Sequence, residues 1–262
     1  MATISQTAVV SGAASGIGAA VRKQFLEAGM RVIGVDLRAS DVCADLSTAS
    51  GRRAAVASVL ALAGGPIDQL VCCAGLGPQV EPVARIAAVN YFGVVALLDG
   101  LFDALKAARH SSAIVLSSSS ATLQSWAGSP LRDAYLAGDE ALVGQILAAV
   151  PPEQAGYAAY ASSKNAVAVA VRQRAVGWGA ARVRLNAIAP GAVQTPLLEA
   201  GLNDPRYGAA IRSLVAPIGA RARPEDVAAL VGFVAGASAA FIHGSVLIVD
   251  GGIDAATRPF DF

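Results

Sequence analysis

Short apolar runs alternate with longer stretches of helical periodicity along most of this chain. Thr7 to Val10, Arg31 to Asp36, Gln69 to Cys72, Ser112 to Leu116, Val183 to Ile188 and Val246 to Val249 read as strands, with Gln69 to Cys72 of the fully buried type. Asp41 to Ser47 continues the alternation. Between these runs the apolar spacing turns helical, over Ala19 to Ala28 with Gly29 as stop, Val83 to Ala108, Tyr157 to Gly177, and a segment opened by Arg223-Pro224-Glu225-Asp226. Strands separated by helices imply right-handed crossovers, so the expected fold is α/β: a doubly wound parallel sheet of about seven strands with helices on both faces.

Composition narrows the class. No Pro/Gly/Ser-rich linker divides the 262 residues, so a single domain is expected. Hydrophobic residues make up 55%, charged residues 15%, and the net charge is +1. Such a chain can bury a large core and has no charge excess to draw nucleic acid or an anionic membrane; its partner is a small molecule or a protein. Apolar stretches such as Ala54 to Ala63 are broken before the ~18 residues a span needs, and no basic-then-apolar leader opens the sequence, so a soluble, cytoplasmic protein is expected. Cys43, Cys72 and Cys73 are too few for a disulfide framework and read as buried free thiols, the adjacent pair pointing to opposite faces of a strand.

The first strand runs into Ser11-Gly12-Ala13-Ala14-Ser15-Gly16-Ile17-Gly18 and then a helix. Strand, glycine turn, helix is the context in which such glycines hold a nucleotide pyrophosphate: they allow a tight turn, close backbone approach and close packing of helix on strand. Asp36 ends the second strand near the spacing at which an acid binds the adenosine ribose hydroxyls, which argues for NAD; Arg38 keeps NADP as the lesser alternative. Ser117 to Ser120 follow another strand, at the sheet end where ligands bind, so a serine there can orient a substrate oxygen. Tyr160 and Lys164 share one helix face, and a nearby cation favours the phenolate of a group whose ordinary pKa is about 10. That pair reads as a poised acid/base. Asn90, amid apolar neighbours, must be hydrogen-bonded if buried. His110 and His243 lack ligand partners at metal spacing and read as structural, so no metal is expected.

Taken in order, Ser11-Gly12-x-x-x-Gly16-Ile17-Gly18, Cys72-Cys73-Ala74-Gly75, Asn90, Ser118, Tyr160-x-x-x-Lys164, Pro190-Gly191 and Thr195-Pro196 resemble the motifs of the short-chain dehydrogenases/reductases across nearly the whole chain. Two departures stand out: Ser11 in place of the usual Thr, which keeps the hydroxyl, and Cys72-Cys73 in place of an Asn pair, which removes side-chain amides near the adenine region. Ala74-Gly75-Leu76-Gly77-Pro78-Gln79, Val89-Asn90-Tyr91-Phe92-Gly93, Asp204-Pro205-Arg206-Tyr207-Gly208 and Val249-Asp250-Gly251-Gly252-Ile253-Asp254-Ala255 are similar to the bacterial 3α-hydroxysteroid dehydrogenase/carbonyl reductase subgroup.

The resemblance implies a single-domain Rossmann fold and an NAD site made of Ser11, Gly12, Ser15, Gly16, Ile17, Gly18, Asp36, Leu37, Asp45, Leu46, Cys73, Ala74, Gly75, Tyr160, Lys164, Pro190, Gly191, Val193 and Thr195. It also implies catalysis by Asn90, Ser118, Tyr160 and Lys164. Tyr160 would be the acid/base with its pKa lowered by Lys164, Ser118 would hydrogen-bond the substrate oxygen, and Asn90 would hold a water joining Lys164 to solvent. Ser118 and Tyr160 stand much farther apart here than in the short form of the family, so a segment near Leu123 to Gln154 is read as an insertion, bracketed by Ser129-Pro130 and Pro151-Pro152, with helical periodicity from Asp139 to Val150. It is expected to cover part of the family's tetramer surface, leaving a homodimer. Gln194 to Ala220, broken at Pro196, Pro205 and Pro217, reads as a substrate lid or as a two-helix surface excursion. The substrate implied is a small hydrophobic ketone or alcohol, such as a hydroxysteroid or terpenoid, lined by Leu76, Trp126, Leu197, Leu198 and Leu202. The rival reading is a catalytically silent NAD(H)-binding sensor or scaffold.

Overall fold

The computed structural model describes residues 6–123, 125–219 and 221–260; Gln124 of the expected insertion and Ala220, at the end of the expected lid, lie outside them. Strands β1 (Thr7–Ser11), β2 (Arg31–Asp36), β3 (Val42–Cys43), β4 (Gln69–Cys72), β5 (Ser111–Leu116), β6 (Val183–Pro190) and β7 (Val246–Val249) form one parallel sheet. Their order is β3-β2-β1-β4-β5-β6-β7. The strand order reverses between β1 and β4, which opens a crevice at the carboxyl ends of those parallel strands. β1, β4 and β5 are buried along their whole length, which is why they read as continuous apolar runs.

Eleven α-helices follow in chain order: α1 (Gly16–Glu27), α2 (Ala49–Ala63), α3 (Ala84–Ala87), α4 (Val94–Lys106), α5 (Pro130–Leu136), α6 (Glu140–Ala148), α7 (Pro152–Ala180), α8 (Pro196–Leu202), α9 (Gly208–Ser213), α10 (Pro224–Ala235) and α11 (Ile253–Thr257), counted among the described residues. Two cores result, one on each face of the sheet. Val21 and Phe25 of α1 and Val227, Val231 and Val234 of α10 cover one face. Val59 of α2, Leu97, Leu98 and Leu101 of α4 and Val167 and Val171 of α7 cover the other.

The expected helix from Val83 to Ala108 is interrupted: α3 and α4 are joined by a π-helical turn, Ala88–Gly93, which carries Asn90. Together, Ala84–Lys106 is long and apolar enough to cross a membrane by length and composition, a feature the expectation of early-broken apolar stretches overlooked. Its most apolar window is 67% buried inside the protein, as the central helix of a packed layer must be.

The expected insertion folds as α5 and α6, and α7 begins at Pro152 rather than Tyr157. Asp139 caps α6 by accepting a bond from the Leu142 amide at 2.9 Å. The inserted helices turn inward onto the π turn. Tyr135 of α5 is fully buried, its ring 5.0 Å from that of Tyr91, and Glu140 takes two bonds from the Arg52 guanidinium of α2 at 2.7 and 2.8 Å. The cysteines divide: Cys72 packs into one core and Cys73 against the other, as adjacent strand residues should, whereas Cys43, on the edge strand β3, is exposed rather than buried.

Candidate active site

Packing builds the turn after β1. Gly12 has φ +70, and a Cβ on it would stand 2.7 Å from the Ala74 amide nitrogen, so β1 reaches the end of β4 only with glycine there. A Cβ on Gly18 would collide with the Gly12 carbonyl oxygen, so α1 can start directly against the turn. Ser15 is the N-cap of this helix, yet its side chain makes no capping bond and no acidic side chain lies in the first turn. The first N–H groups of α1 and the positive end of its dipole are thus offered to the cleft lined by Ser15, Gly16, Ile17 and Gly18. Such a cradle fits a pyrophosphate.

The acid at the end of β2 is oriented beside that turn: Asp36 accepts bonds from Ala14 N at 3.0 Å and Leu37 N at 2.7 Å. Leu37 is exposed next to it. Ser11 is fully buried and its hydroxyl accepts from Ala74 N at 3.2 Å, so it ties β1 to the strand end beyond β4. Asp45 accepts from Ser47 N at 2.9 Å, and bonds from the Ser47 side chain and backbone hold its carboxyl below the ordinary value. Leu46 packs its side chain into the core against Gly93 and has only backbone to offer a ligand.

On the other side of the crevice, α7 brings Tyr160 and Lys164 to the end of β5. Lys164 is 5% exposed; its ammonium donates to the Leu116 carbonyl oxygen at 2.8 Å, and Ser117 Oγ donates to the Lys164 carbonyl at 2.7 Å. Burial pulls the Lys164 amine down to about 8. Ser118 caps a short 3-10 turn, Ser119–Ala121, its hydroxyl accepting from Ser120 N at 3.2 Å. Burial pushes the Tyr160 phenol above its ordinary value, and a hydrogen bond with Ser118 draws it back. The expectation that Lys164 lowers the Tyr160 pKa is thus corrected for the ligand-free protein: desolvation dominates, the counterweight is Ser118, and the ammonium is engaged by Leu116.

Asn90 is hydrogen-bonded, as a buried amide must be. Its side chain is fully buried and clamps the loop after β4, with Oδ1 accepting from Leu76 N at 2.7 Å and Nδ2 donating to Leu76 O at 3.0 Å. It lies next to Lys164, since a Cβ on Gly75 would stand 3.4 Å from both Asn90 Oδ1 and Lys164 Nζ.

One cleft of about 190 Å³ gathers most of the expected residues: Gly12, Ser15, Gly16, Ile17, Gly18, Cys73, Gly75, Ser118, Tyr160, Lys164, Pro190, Gly191, Val193 and Thr195 all line it. Ser11, Asp36, Leu37, Asp45, Leu46, Ala74 and Asn90 lie outside that lining. Leu197 and Leu198 of α8 roof it, so the expected lid consists of two helices, α8 and α9, with the first over the cleft. Leu76, Trp126 and Leu202 do not line it; Trp126 is buried with its indole donating to Ala121 O at 3.1 Å. Leu116 and Ser117 were missed: the role of a strand-end carbonyl has no side-chain signature, although the serine cluster pointed to the region.

Among the described residues no three His, Cys, Asp or Glu side chains are grouped for a metal. His243 Nδ1 accepts from Leu185 N at 3.0 Å, so its other ring nitrogen carries the proton toward Ala175 O at 2.7 Å. His110 is exposed.

A glycine turn that fits a pyrophosphate and a Ser-Tyr-Lys group on one cleft of a doubly wound sheet, with an acid at the end of β2 outside the cleft lining, fit a dinucleotide-dependent oxidoreductase. Family sequence models agree: one described as short chain dehydrogenase matches residues 6–146, and one described as enoyl-(acyl carrier protein) reductase matches residues 142–254. The chain belongs to the short-chain dehydrogenase/reductase family. It is 48% identical over 254 residues to the 3-alpha-hydroxysteroid dehydrogenase/carbonyl reductase of Comamonas testosteroni, covering 97% of this chain and 98% of that one. It is 35% identical to the cis-4-hydroxycyclohexanecarboxylate dehydrogenase of Sinomonas cyclohexanicum, over 95% and 97% of the two chains. Among solved structures, the 3-alpha-hydroxysteroid dehydrogenase of Pseudomonas sp. B-0831 complexed with NADH superposes with TM-score 0.93 at 47% identity, over 98% of this chain and 100% of that one.

Proposed function

We propose that this protein is an NAD-dependent dehydrogenase interconverting a hydrophobic secondary alcohol and its ketone, with Tyr160 as acid/base. The carrying observation is that the glycine turn, Ser118, Tyr160 and Lys164 line one cleft at the carboxyl ends of the strands. Bound NAD supplies the hydride acceptor, or as NADH the donor. Gly12 to Gly18 and the start of α1 hold its pyrophosphate, and Asp36 its adenosine ribose, where a 2′-phosphate would meet negative charge. Lys164 holds the nicotinamide ribose. Tyr160 takes the hydroxyl proton in oxidation and returns it in reduction, while Ser118 donates to the substrate oxygen as charge develops there. Asn90 contributes by fixing the loop at Leu76 beside Lys164.

The substrate is a cyclic alcohol or ketone: a 3-hydroxysteroid, a terpenoid or a smaller ring. The relatives named for a hydroxysteroid and for a hydroxylated cyclohexane ring support this class, as do Leu197 and Leu198 over the cleft. The chain is one catalytic domain with an inserted pair of helices, and it assembles as a dimer, the insertion covering part of the surface a tetramer would use. A panel of secondary alcohols with NAD and with NADP, read as reduced-cofactor absorbance, tests the reading. Turnover with NAD supports it; tight NAD binding with no turnover of any member would leave a silent binding protein.

A further inference from the structure

The 3-10 turn Ser119–Ala121, which Ser118 opens, is pinned from several directions. At its start Ser117 binds the sheet and α7, its N donating to the Ile188 carbonyl at 2.7 Å and its hydroxyl to the Lys164 carbonyl at 2.7 Å. At its end the Ala121 carbonyl accepts from the Trp126 indole and from the Asn165 amide of α7, each at 3.1 Å. Thr122, the residue that closes the turn, is bound differently. Its hydroxyl reaches two acceptors, the Ser119 carbonyl at 2.8 Å and Oδ1 of Asp254, which lies 132 positions further along the chain. A hydroxyl has one hydrogen and a carboxylate is the stronger acceptor, so the proton goes to Asp254. The Ser119 carbonyl is still served, by Thr122 N at 3.1 Å. Asp254 is placed to hold that bond: it stands on α11, is 7% exposed, and accepts from Arg258, Nε on Oδ1 and Nη2 on Oδ2, both at 2.9 Å. Those bonds, and after them the one from Thr122, keep its carboxyl below the ordinary value, so it is ionised at neutral pH. Asp254 N donates to Asp250 Oδ2 at 2.7 Å, which fixes α11 to the end of β7, and Asp250 packs against Gly191 of the cleft wall.

We infer that Thr122 and Asp254 are positioning residues for Ser118: the bond between them ties the turn to α11 and holds the serine hydroxyl where the substrate oxygen needs it. The inference rests on Ser118 as the donor in the alcohol–ketone reading above and deepens it. A reacting group misplaced by about 1 Å costs on the order of 10²-fold in rate, so slack at the residue that closes a one-turn helix is felt at the serine that opens it. Neither Thr122 nor Asp254 lines the cleft, so their effect falls on kcat and leaves NAD binding in place.

The test uses Thr122→Val, which keeps the shape of the side chain and leaves Asp254 paired with Arg258, Thr122→Ser, which restores the hydroxyl, and Asp254→Ala, which removes the other end of the bond. Each is measured with NAD and the panel alcohol that the wild type oxidises best, and Thr122→Val also in a Ser118→Ala background. The expected result is a fall in kcat of about 10-fold in Thr122→Val and Asp254→Ala, with KM and NAD affinity moved by less than about 3-fold, and Thr122→Ser within about 2-fold of wild type. On top of Ser118→Ala, Thr122→Val should lower kcat by less than about 2-fold, because the group it positions is gone. A merely structural role predicts the same fall with and without Ser118, and that result overturns the inference. So does a wild-type kcat in Thr122→Val or Asp254→Ala while Ser118→Ala is impaired, which leaves the alcohol–ketone reading standing. Ser118→Ala at the wild-type rate, or a wild type that oxidises no panel member, removes that reading and the inference with it. Where Asp254→Ala does not fold, the Thr122 variants decide.

Discussion

The Lys164 ammonium lies 2.8 Å from the carbonyl oxygen of Leu116, the last residue of β5. With the bond returned from Ser117 Oγ to the Lys164 carbonyl at 2.7 Å, it fixes α7 against the strand end that carries Ser118. The spacing of Tyr160 from Ser118 is thereby set by bonds from side chains to main-chain carbonyls before any ligand arrives, which is the preorganisation proton transfer needs.

Tyr160→Phe keeps the ring and its packing and removes the proton carrier. We expect kcat to fall by about 10²–10⁴, the range of general acid–base catalysis, with NAD affinity changed less than about 3-fold. Steady-state rates and NAD titration by fluorescence check both; activity within about 5-fold of wild type would contradict the assignment.

Lys164 couples stability to pH. Burial takes its amine from an ordinary 10.5 to about 8 in the folded chain. Between those values the unfolded chain holds a proton that the folded chain has released, so this group's contribution to stability is constant below about pH 8 and rises as pH climbs through the window. Urea midpoints of wild type and Lys164→Met between pH 7 and 10 isolate the effect, because other titrating groups cancel in the difference. That difference should move in favour of wild type as pH rises; a flat one would mean the amine is not perturbed.

Asp36 should decide between the two dinucleotides. Asp36→Ala removes the charge a 2′-phosphate would meet, with Arg38 two residues on, and we expect the NADP-to-NAD ratio of kcat/KM to rise by about 10-fold or more. The Ala14 and Leu37 amides lose a partner but turn to water at this exposed site, so melting temperature should fall by only a few degrees. An unchanged ratio would remove Asp36 from the ribose site.

Thiol reactivity should follow burial. Desolvation raises the Cys72 thiol to about 12 and drives that of Cys73 up as well, whereas Cys43 is exposed on β3. Iodoacetamide at pH 8 should label the native protein fastest at Cys43, more slowly at Cys73 on the cleft wall and not at Cys72, by peptide mass spectrometry, and all three cysteines after unfolding. Labelling of Cys72 in the folded state would contradict the packing of β4.

Strands β2, β4 and β7 were legible in the sequence to the residue, because each is a short run rich in Val, Ile and Leu bounded by turn or polar residues, although only β4 of the three is buried along its whole length. The interruption of the helix at Asn90 was not. A π turn of six residues shifts hydrogen-bond register without leaving enough length to change the apolar spacing. Trp126 shows a different limit: composition marks it as a lining residue for an apolar pocket, yet its indole finds the Ala121 carbonyl and turns the ring inward.

The sequence by itself determined the order of the chemical groups: a glycine turn that tolerates no Cβ, an acid at the end of the next strand, a serine after β5, and a tyrosine and lysine one helical turn apart. Those features are local, set by side-chain size and by the periods of strand and helix. Only the tertiary structure decided what state the groups are in. The Lys164 amine is lowered, the Tyr160 phenol is raised, and the Asn90 side chain bonds Leu76, because burial and hydrogen-bond partners come from strand ends and loops far away along the chain.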